Sequence, residues 1–278
     1  MTVQTALLQG AEILEKASIP VPRLTAEVLL CYAIGCVRTF LYAHGDEELT
    51  QVAWIHYGRY LNERLQGKPT QYITHSQEFY GRDFYVNSDV LIPRPETEHL
   101  VDTALTFLKK RPNSRILDAG TGSGAIAISV ALEGGIPVLA SDISSAAIAV
   151  AERNRRLLNA PVAFFAADLL DAVKPRSVDL LVSNPPYVPG SDLANMQKEV
   201  RDWEPHVALF AGSSGFEIYE RLIFGAEIAV KPEGRLLMEL GYRSLDGVRG
   251  MLSGNWTDIE VISDLAGFAR VIGATLRN

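Results

Sequence analysis

The chain has 278 residues, of which 47% are hydrophobic, and its formal net charge at pH 7 is −7. This length allows one large domain or two ordinary ones with an ample apolar core. Neither the part before residue 90 nor the part after it is basic. This balance argues against a protein that grips a nucleic-acid backbone through a broad cationic surface.

The sequence carries no signal for a membrane or for export. No stretch is apolar enough to span a bilayer, and Met1 to Leu14 lack the basic front and the cleavage site of a signal peptide. We therefore expect a cytoplasmic protein. Cys31 and Cys36 lie in an apolar helical run without histidines at metal-ligand spacing. This predicts reduced core thiols and no metal site.

The first part of the chain is predicted to be a small helical domain over residues 1–70. Apolar residues at helical spacing predict helices over residues 3–19, 24–34 and 50–66, which end at prolines or glycine. From residue 71 the pattern becomes aromatic and β-branched. Residues 71–74 and 77–86 therefore predict a β-hairpin, which forms a linker over residues 71–90.

The second domain is predicted over residues 91–278. It opens with Leu91–Glu98, whose prolines keep the backbone extended until a helix begins at Thr97 or Glu98 and continues to about Lys110. Arg94 and Glu96 lie in this segment. They could form an interdomain salt bridge or take part in a site, and the residues alone leave both interpretations open.

A glycine-rich turn follows the first strand of this domain. Residues 114–118 predict a strand, residues 119–124 the turn and residues 125–132 a helix. Glycines at 120, 122 and 124 let the backbone turn sharply and let a ligand approach the amides at the helix start. A structural turn or a dinucleotide site would also fit, although the spacing departs from the dinucleotide fingerprint.

Two acidic residues follow the next two predicted strands. Asp142 ends the strand at residues 137–142, where its carboxylate can accept hydrogen bonds from both hydroxyls of a ribose. Asp168 follows the strand at residues 162–166, where it can accept from an exocyclic amine, and Leu169 can pack on the ring. Helix capping is the alternative role for both acids.

The strand predicted at residues 178–182 ends at Asn184-Pro185-Pro186-Tyr187. The two prolines end the strand and leave carbonyls without a strand partner. The Asn184 side-chain oxygen is a further acceptor, and Tyr187 offers a flat apolar face. Two acceptors and a ring suit a planar –NH2 group, because they can hold both hydrogens and direct the nitrogen lone pair.

The remaining pattern completes a sheet. Residues 191–214 are polar and long enough to be a substrate loop. Residues 216–230 predict a helix and residues 234–240 a strand. Residues 256–276 predict two strands that form a hairpin at the sheet edge.

These motifs, in this order, resemble a class I S-adenosylmethionine-dependent methyltransferase that acts on a planar nitrogen. Together with the helical start and Leu91–Glu98, the chain resembles the protein-(glutamine-N5) methyltransferases of peptide chain release factors, the HemK/PrmC family. The likeness extends to Gly215–Arg221, Glu239–Tyr242 and Asp264–Val271. It implies an α/β fold in which a Rossmann-like domain, with a seven-stranded mostly parallel sheet, follows a small N-terminal helical substrate-recognition domain and a linking β-hairpin.

The resemblance also implies site roles. The cofactor would be S-adenosylmethionine, with S-adenosylhomocysteine as the product. The residues implied to bind the cofactor are Gly120, Thr121, Gly122, Ser123, Gly124, Asp142, Asp168, Leu169 and Asn184. Asn184 and the Pro185 carbonyl would hold the glutamine amide of a Gly-Gly-Gln loop, with Tyr187 and Pro186 against it. These three, Asn184, Pro185 and Tyr187, would be catalytic, and Arg94 and Glu96 would lie near the substrate.

Two other functions compete with this one. An N6-adenine methyltransferase for DNA or RNA would use a similar amide loop, because adenine N6 is also a planar –NH2 group, but it would need cationic surface or an added domain to hold the strand. A non-catalytic module could retain the fold as a scaffold. The intact glycines, Asp142 and Asn184 argue against the module.

Overall fold

The computed structural model describes all 278 residues, apart from the side chains of residues 194 and 195. The chain divides into two compact units, Met1–Ser76 with Gln197–Trp203, and Gln77–Met196 with Glu204–Asn278. The predicted division at residues 70 and 90 stays a prediction. None of the helices described is long and apolar enough to cross a membrane.

The first unit is helical, as predicted. Its elements before residue 76 are α1 (Val3–Lys16), α2 (Pro22–Ile34), α3 (Arg38–Ala43), α4 (Gln51–Leu65) and α5 (Thr70–Thr74). The threonines before α1 and α4 cap these helices, since the side chain of Thr2 accepts from the amide of Thr5 and that of Thr50 from the amide of Ala53. Leu14, Leu29, Leu30 and Tyr57 lie in the core of this unit.

The strand predicted at residues 71–74 is wrong, because these residues form α5. Tyr72 and Ile73 are adjacent, and both are buried. A strand would point adjacent side chains to opposite faces, whereas one helical turn buries both. Packing therefore overrides the β propensity of tyrosine and isoleucine. A hairpin is present, but both of its strands, β1 (Ser76–Phe79) and β2 (Arg82–Tyr85), come almost entirely from the segment predicted as the second strand alone.

The second unit alternates strands and helices. Its elements in the first half are α6 (Glu98–Lys110), β3 (Ile116–Ala119), α7 (Ala125–Gly134), β4 (Val138–Asp142), α8 (Ser145–Leu158), β5 (Val162–Ala166) and β6 (Val178–Ser183). These confirm the predicted elements to within a few residues.

The predicted substrate loop contains several short elements. They are β7 (Val188–Pro189), a 3-10 helix (Gly190–Asn195), α9 (Lys198–Trp203), α10 (His206–Leu209) and β8 (Phe210–Gly212). Of these, α9 belongs to the first unit, where Arg64 Nη2 lies 2.8 Å from Glu199 Oε2. The chain ends with α11 (Glu217–Ala229), β9 (Val230–Glu239), α12 (Leu245–Met251), β10 (Trp256–Ser263) and β11 (Ala269–Leu276).

Seven strands form one sheet in the order β10-β11-β9-β6-β3-β4-β5. Five strands are parallel, and β11 pairs antiparallel with both β9 and β10. The predicted seven-stranded, mostly parallel sheet with an edge hairpin is therefore confirmed. From β3 the chain proceeds to β4 and β5 on one side and to β6 on the other. Ligands bind outside the carboxyl ends of strands at such a switch point.

Both faces of this sheet are covered, which explains the continuous apolar runs of its central strands. Ile116 and Leu180 pack with α6 and α7 on one face. Their neighbours Leu117 and Leu181 pack with α11 and α12 on the other face. Near their carboxyl ends, β3 and β6 carry the polar residues Asp118 and Ser183.

Candidate active site

A cavity of about 310 Å³ lies at the carboxyl ends of β3, β4, β5 and β6. The predicted site residues that line it are Arg94, Gly120, Thr121, Gly122, Ser123, Asp142, Asp168, Leu169, Asn184 and Pro186. Gly124, Pro185, Tyr187 and Glu96 are not among the lining residues in the described part of the chain. The structure thus gathers ten of the predicted residues around one cavity, although three α-helices and four strands, from α6 to β6, lie between Arg94 and Pro186 along the chain.

The glycine-rich turn needs glycine for its backbone shape. Gly120, Gly122 and Gly124 have φ of 76°, 55° and 83°, a region that other residues rarely adopt. Under the turn, Asp118 Oδ2 accepts from the Thr121 hydroxyl at 2.7 Å and from the amide of Ala127 at 3.2 Å. Burial raises the pKa of Asp118 to about 7, against the effect of these hydrogen bonds.

Asp142 holds the same turn from the next strand. Its Oδ2 accepts from the amide of Gly122 at 2.8 Å, and its Oδ1 accepts from the amide of Ser144 at 2.9 Å. Desolvation raises its pKa, and these backbone hydrogen bonds oppose the rise. The side chain that caps α8 is Ser144, which accepts from the amide of Ala147. Each carboxylate oxygen of Asp142 retains capacity for a further donor, because an ionised carboxylate has about four acceptor positions.

Asp168 forms an ion pair that the sequence did not reveal. Arg221 Nη2 donates to Asp168 Oδ2 at 2.8 Å, and both residues line the cavity. Leu169 lines it too and has a left-handed backbone, with φ of 50°. Ile143 is 56% exposed and belongs to the same lining, so its apolar side chain faces a space rather than a core. Ile143 and Leu169 give this end of the cavity two apolar side chains.

Asn154 of α8 ties the hairpin to the glycine-rich turn. This side chain is fully buried, and its Oδ1 accepts from the amide of Tyr85 at 2.7 Å. Its Nδ2 donates to the carbonyls of Tyr85 at 3.0 Å and Ser123 at 2.9 Å. The turn, the helix and the hairpin are therefore joined by one amide.

We expect Asn154→Ala to lower the free energy of unfolding by about 3 kcal/mol, because a buried side chain loses three hydrogen bonds and its packing. Urea denaturation checks this value. Asn113→Ala is the matched control, since Asn113 is exposed before β3 and should leave stability almost unchanged. Equal midpoints for the two variants would contradict the structural role of Asn154.

Asn184 follows β6 and is oriented by its own amide nitrogen. The hydroxyl of Ser183 donates to the carbonyl of Ala119 at 2.7 Å, which joins the tips of β6 and β3. Asn184 Nδ2 then donates to the Thr97 hydroxyl oxygen at 3.3 Å. Thr97 is 4% exposed, in the turn before α6. Because the nitrogen faces Thr97, the acceptor Oδ1 is the end of the amide left for a ligand.

Tyr187 packs against Gly241, which follows β9. A Cβ on Gly241 would lie 2.5 Å from its Cδ2, so the chain approaches the ring as closely as only glycine allows. Burial raises the pKa of Tyr187 to about 12, and the charge of Glu239 adds to this effect. Pro185 is also buried. In this structure Tyr187 therefore packs against Gly241 and the apolar core on this face of the sheet.

Arg94 and Glu96 have separate partners. Arg94 forms an ion pair with Glu204, whose side chain is 2% exposed, while Glu96 lies 3.7 Å from Arg270. All four residues belong to the second unit. The interdomain salt bridge considered for Arg94 and Glu96 is therefore wrong, and Arg94 is the one of the two that lines the cavity.

Sequence reasoning missed several residues of the site. They are Thr97, Ile143, Glu204, Arg221 and Glu239. For Ile143 a signal was present, since an apolar residue directly after a strand-end acid sits where loops usually carry polar residues. The others contact residues far along the chain, which local patterns do not report.

Two family models match the chain. The PrmC N-terminal domain matches residues 5–74, and the methyltransferase small domain matches residues 99–200. Among solved structures, a methyltransferase from Pyrococcus furiosus has a TM-score of 0.53 at 18% identity, and the match covers 72% of this chain and 91% of that one. This likeness shows that the two chains share a fold.

Two curated relatives match over nearly the whole chain and therefore show its family. The release factor glutamine methyltransferase of Koribacter versatilis is 43% identical over 274 residues, which are 98% of this chain and 98% of the relative. The protein of the same name from Nitratidesulfovibrio vulgaris is 38% identical over 280 residues, with coverage of 98% and 95%. On this identity and coverage, the chain belongs to the release factor glutamine methyltransferase family.

Proposed function

We propose that this chain acts in the cytoplasm and transfers a methyl group from S-adenosylmethionine to the side-chain amide of the Gly-Gly-Gln glutamine of peptide chain release factors. The observation that carries the proposal is that Asn184, held through its nitrogen, lines the same cavity as the glycine-rich turn and Asp142. A cofactor on the turn and an amide on Asn184 would therefore meet inside one space.

The residues around the cavity fit S-adenosylmethionine. The turn from Gly120 to Gly124 would approach the methionine and ribose parts of the cofactor. Asp142 would accept hydrogen bonds from the ribose hydroxyls, because its two backbone hydrogen bonds leave further acceptor positions on the carboxylate free. Ile143 and Leu169 would flank the adenine ring. Asp168, already held by Arg221, would accept from the adenine amine.

On the substrate side, Asn184 Oδ1 and the Pro185 carbonyl would each accept one hydrogen of the glutamine –NH2 group. Pro186 lines the cavity beside them, and Tyr187 packs against Gly241. Arg94 and Glu96 would stand near the incoming loop. Since Pro185 is buried, it would contribute its backbone carbonyl rather than its ring.

When bound, the cofactor would supply a sulfonium methyl group. The nucleophile would attack the methyl carbon in line with its bond to sulfur, and that bond would break, so that S-adenosylhomocysteine is the leaving group. The two acceptors would hold the amide nitrogen on that axis at about 3–3.5 Å from the methyl carbon. An amide nitrogen is a weak nucleophile because its lone pair is conjugated with the carbonyl. Acceptors aimed at its hydrogens stabilise the positive charge that develops on nitrogen in the transition state. The methylated nitrogen then loses one proton to water, so no strong base is needed.

The direct test supplies labelled S-adenosylmethionine together with a release factor or an adenine-containing oligonucleotide. We expect label in the release factor alone, and mass spectrometry should locate the methyl group on the glutamine of Gly-Gly-Gln. A release factor with alanine in place of that glutamine is the matched control and should take up no label. Label in the oligonucleotide would favour the adenine methyltransferase, and failure to bind the cofactor would favour the non-catalytic module.

A further inference from the structure

Glu239 stands beside Asn184 at the tips of two paired strands. It is the last residue of β9, and the parallel pairing of β9 with β6 places Met238 opposite Ser183. The residues that follow these two, Glu239 and Asn184, are therefore neighbours. Glu239 is only 5% exposed, which is rare for a glutamate.

The backbone of Glu239 is held firmly. Its carbonyl accepts from the Tyr219 hydroxyl at 2.9 Å, and the amide of Gly241 donates to the same hydroxyl oxygen at 3.0 Å. In contrast, Oε2 of Glu239 is buried and has no hydrogen-bond partner among the described residues. A buried carboxylate oxygen without a donor is costly and calls for an explanation.

Burial raises the pKa of Glu239 to about 7, and the charge of Glu96 adds to the rise. Thr97, Asn184 and Arg270 act in the opposite direction. Tyr187 and Tyr219 also interact with Glu239, and both are neutral near pH 7, since the ordinary pKa of tyrosine is about 10 and burial raises the pKa of each further. Glu239 is therefore the group of this cluster that changes charge near neutral pH.

We propose that the carboxylate of Glu239 is a positioning group for Asn184, which holds the amide nitrogen in place together with Thr97 and so presents Oδ1 to the substrate. This inference rests on the proposed function. The Asn184 –NH2 group has two hydrogens. Thr97 accepts one of them, and an anionic neighbour favours the nitrogen over the oxygen at that end of the amide.

Protonation of Glu239 would remove this preference. A neutral carboxyl group has both an O–H donor and a carbonyl acceptor. The O–H can donate to Asn184 Oδ1, and the carbonyl can accept from Asn184 Nδ2, so a neutral Glu239 favours neither end of the amide. The Asn184 side-chain amide could then rotate by half a turn, so that its –NH2 group faces the –NH2 group of the substrate glutamine. Two donors would then face each other, and the substrate would have no acceptor from Asn184. The site should consequently lose activity as the pH falls through the pKa of Glu239.

The first test needs no substrate. The side-chain –NH2 signal of Asn184 is followed by nitrogen-15 NMR of the full chain while the pH is varied, and its absence from the Asn184→Ala spectrum assigns it. In the wild type its chemical shift should change with a midpoint near pH 7. Glu239→Gln, which is neutral at every pH, should abolish the shift. Glu96→Gln should move the midpoint to lower pH, because the charge of Glu96 raises the pKa of Glu239. A signal that does not respond to pH in the wild type, or responds equally in Glu239→Gln, overturns the positioning role.

The second test is kinetic. In the wild type, kcat for release factor methylation should fall below about pH 7, whereas Glu239→Gln should lose this pH dependence. At pH 8 its kcat should be at least about tenfold lower, with the affinity for S-adenosylmethionine unchanged. Glu260→Gln, an exposed glutamate on β10, is the control and should behave as the wild type.

These outcomes separate the two claims. A wild type that methylates no release factor at any pH counts against the proposed function, while the NMR response still decides the role of Glu239. An active Glu239→Gln variant with the wild-type pH profile counts against the positioning role alone. If Glu239→Gln does not fold, the Glu96→Gln midpoint decides, and an unmoved midpoint contradicts the inference.

Discussion

Asn184→Ala should lower kcat for release factor methylation by at least about a hundredfold and leave the Kd of S-adenosylmethionine almost unchanged. The magnitude is that of removing one preorganised hydrogen-bonding group aimed at developing charge. The cofactor is held chiefly by the turn at Gly120–Gly124 and by Asp142, which alanine at 184 leaves in place. Because the interaction acts in the transition state, kcat and kcat/KM should fall together.

Single-turnover kinetics and isothermal titration with the cofactor measure the two quantities separately. Asn113→Ala is the control, since it removes the same amide from an exposed position before β3, at the opposite end of the sheet. It should be fully active. A parallel loss of cofactor affinity and kcat in Asn184→Ala would mean that Asn184 supports the fold rather than the reaction.

Most of the sheet could be predicted from sequence because its signals are local. The run Leu180–Val182 is apolar on both faces because α6 and α7 cover one side and α11 and α12 the other. Polar residues follow such strands directly, so Asp142, Asp168 and Asn184 could be placed at one edge before the structure was known. Each lies in the cavity lining, as strand-end positions imply.

The errors and omissions have one cause, which is that packing between distant segments carries no local signal. Thr70–Thr74 has β-type residues but forms a helix, because this buries both Tyr72 and Ile73. Thr97 meets Asn184 across 87 positions of the chain, and Asn154 meets Tyr85 across 69. Composition and periodicity cannot report such pairs.

Packing between distant segments also explains why some motif residues do not line the cavity. Gly124 is conspicuous in the sequence as the last glycine of the turn, yet an added Cβ would lie 3.0 Å from Ile128 and 3.3 Å from Ala151. Its requirement for glycine therefore comes partly from close helix packing. Tyr187 likewise packs against Gly241. A motif thus combines residues that meet the ligand with residues that shape the loop beneath it.

Asp142→Ala should raise the Kd of S-adenosylmethionine by about a hundredfold. Two hydrogen bonds from ribose hydroxyls to a carboxylate are worth about 3 kcal/mol together, and each 1.4 kcal/mol is about a factor of ten in affinity. Isothermal titration measures the change. Asp171→Ala is the control, because Asp171 is a nearby exposed acid outside the cavity lining and should bind the cofactor as the wild type does.

Loss of affinity alone does not identify the ribose contact, because Asp142 also holds the amide of Gly122 and its removal could disorder the turn. A cycle with S-adenosylhomocysteine and its 2′,3′-dideoxy analogue separates these effects. In the wild type the analogue should bind far more weakly than the parent compound. In Asp142→Ala the two should bind alike, since the hydroxyls have lost their acceptor. If the variant weakens both compounds by the same factor, Asp142 acts through the turn and the ribose assignment is wrong.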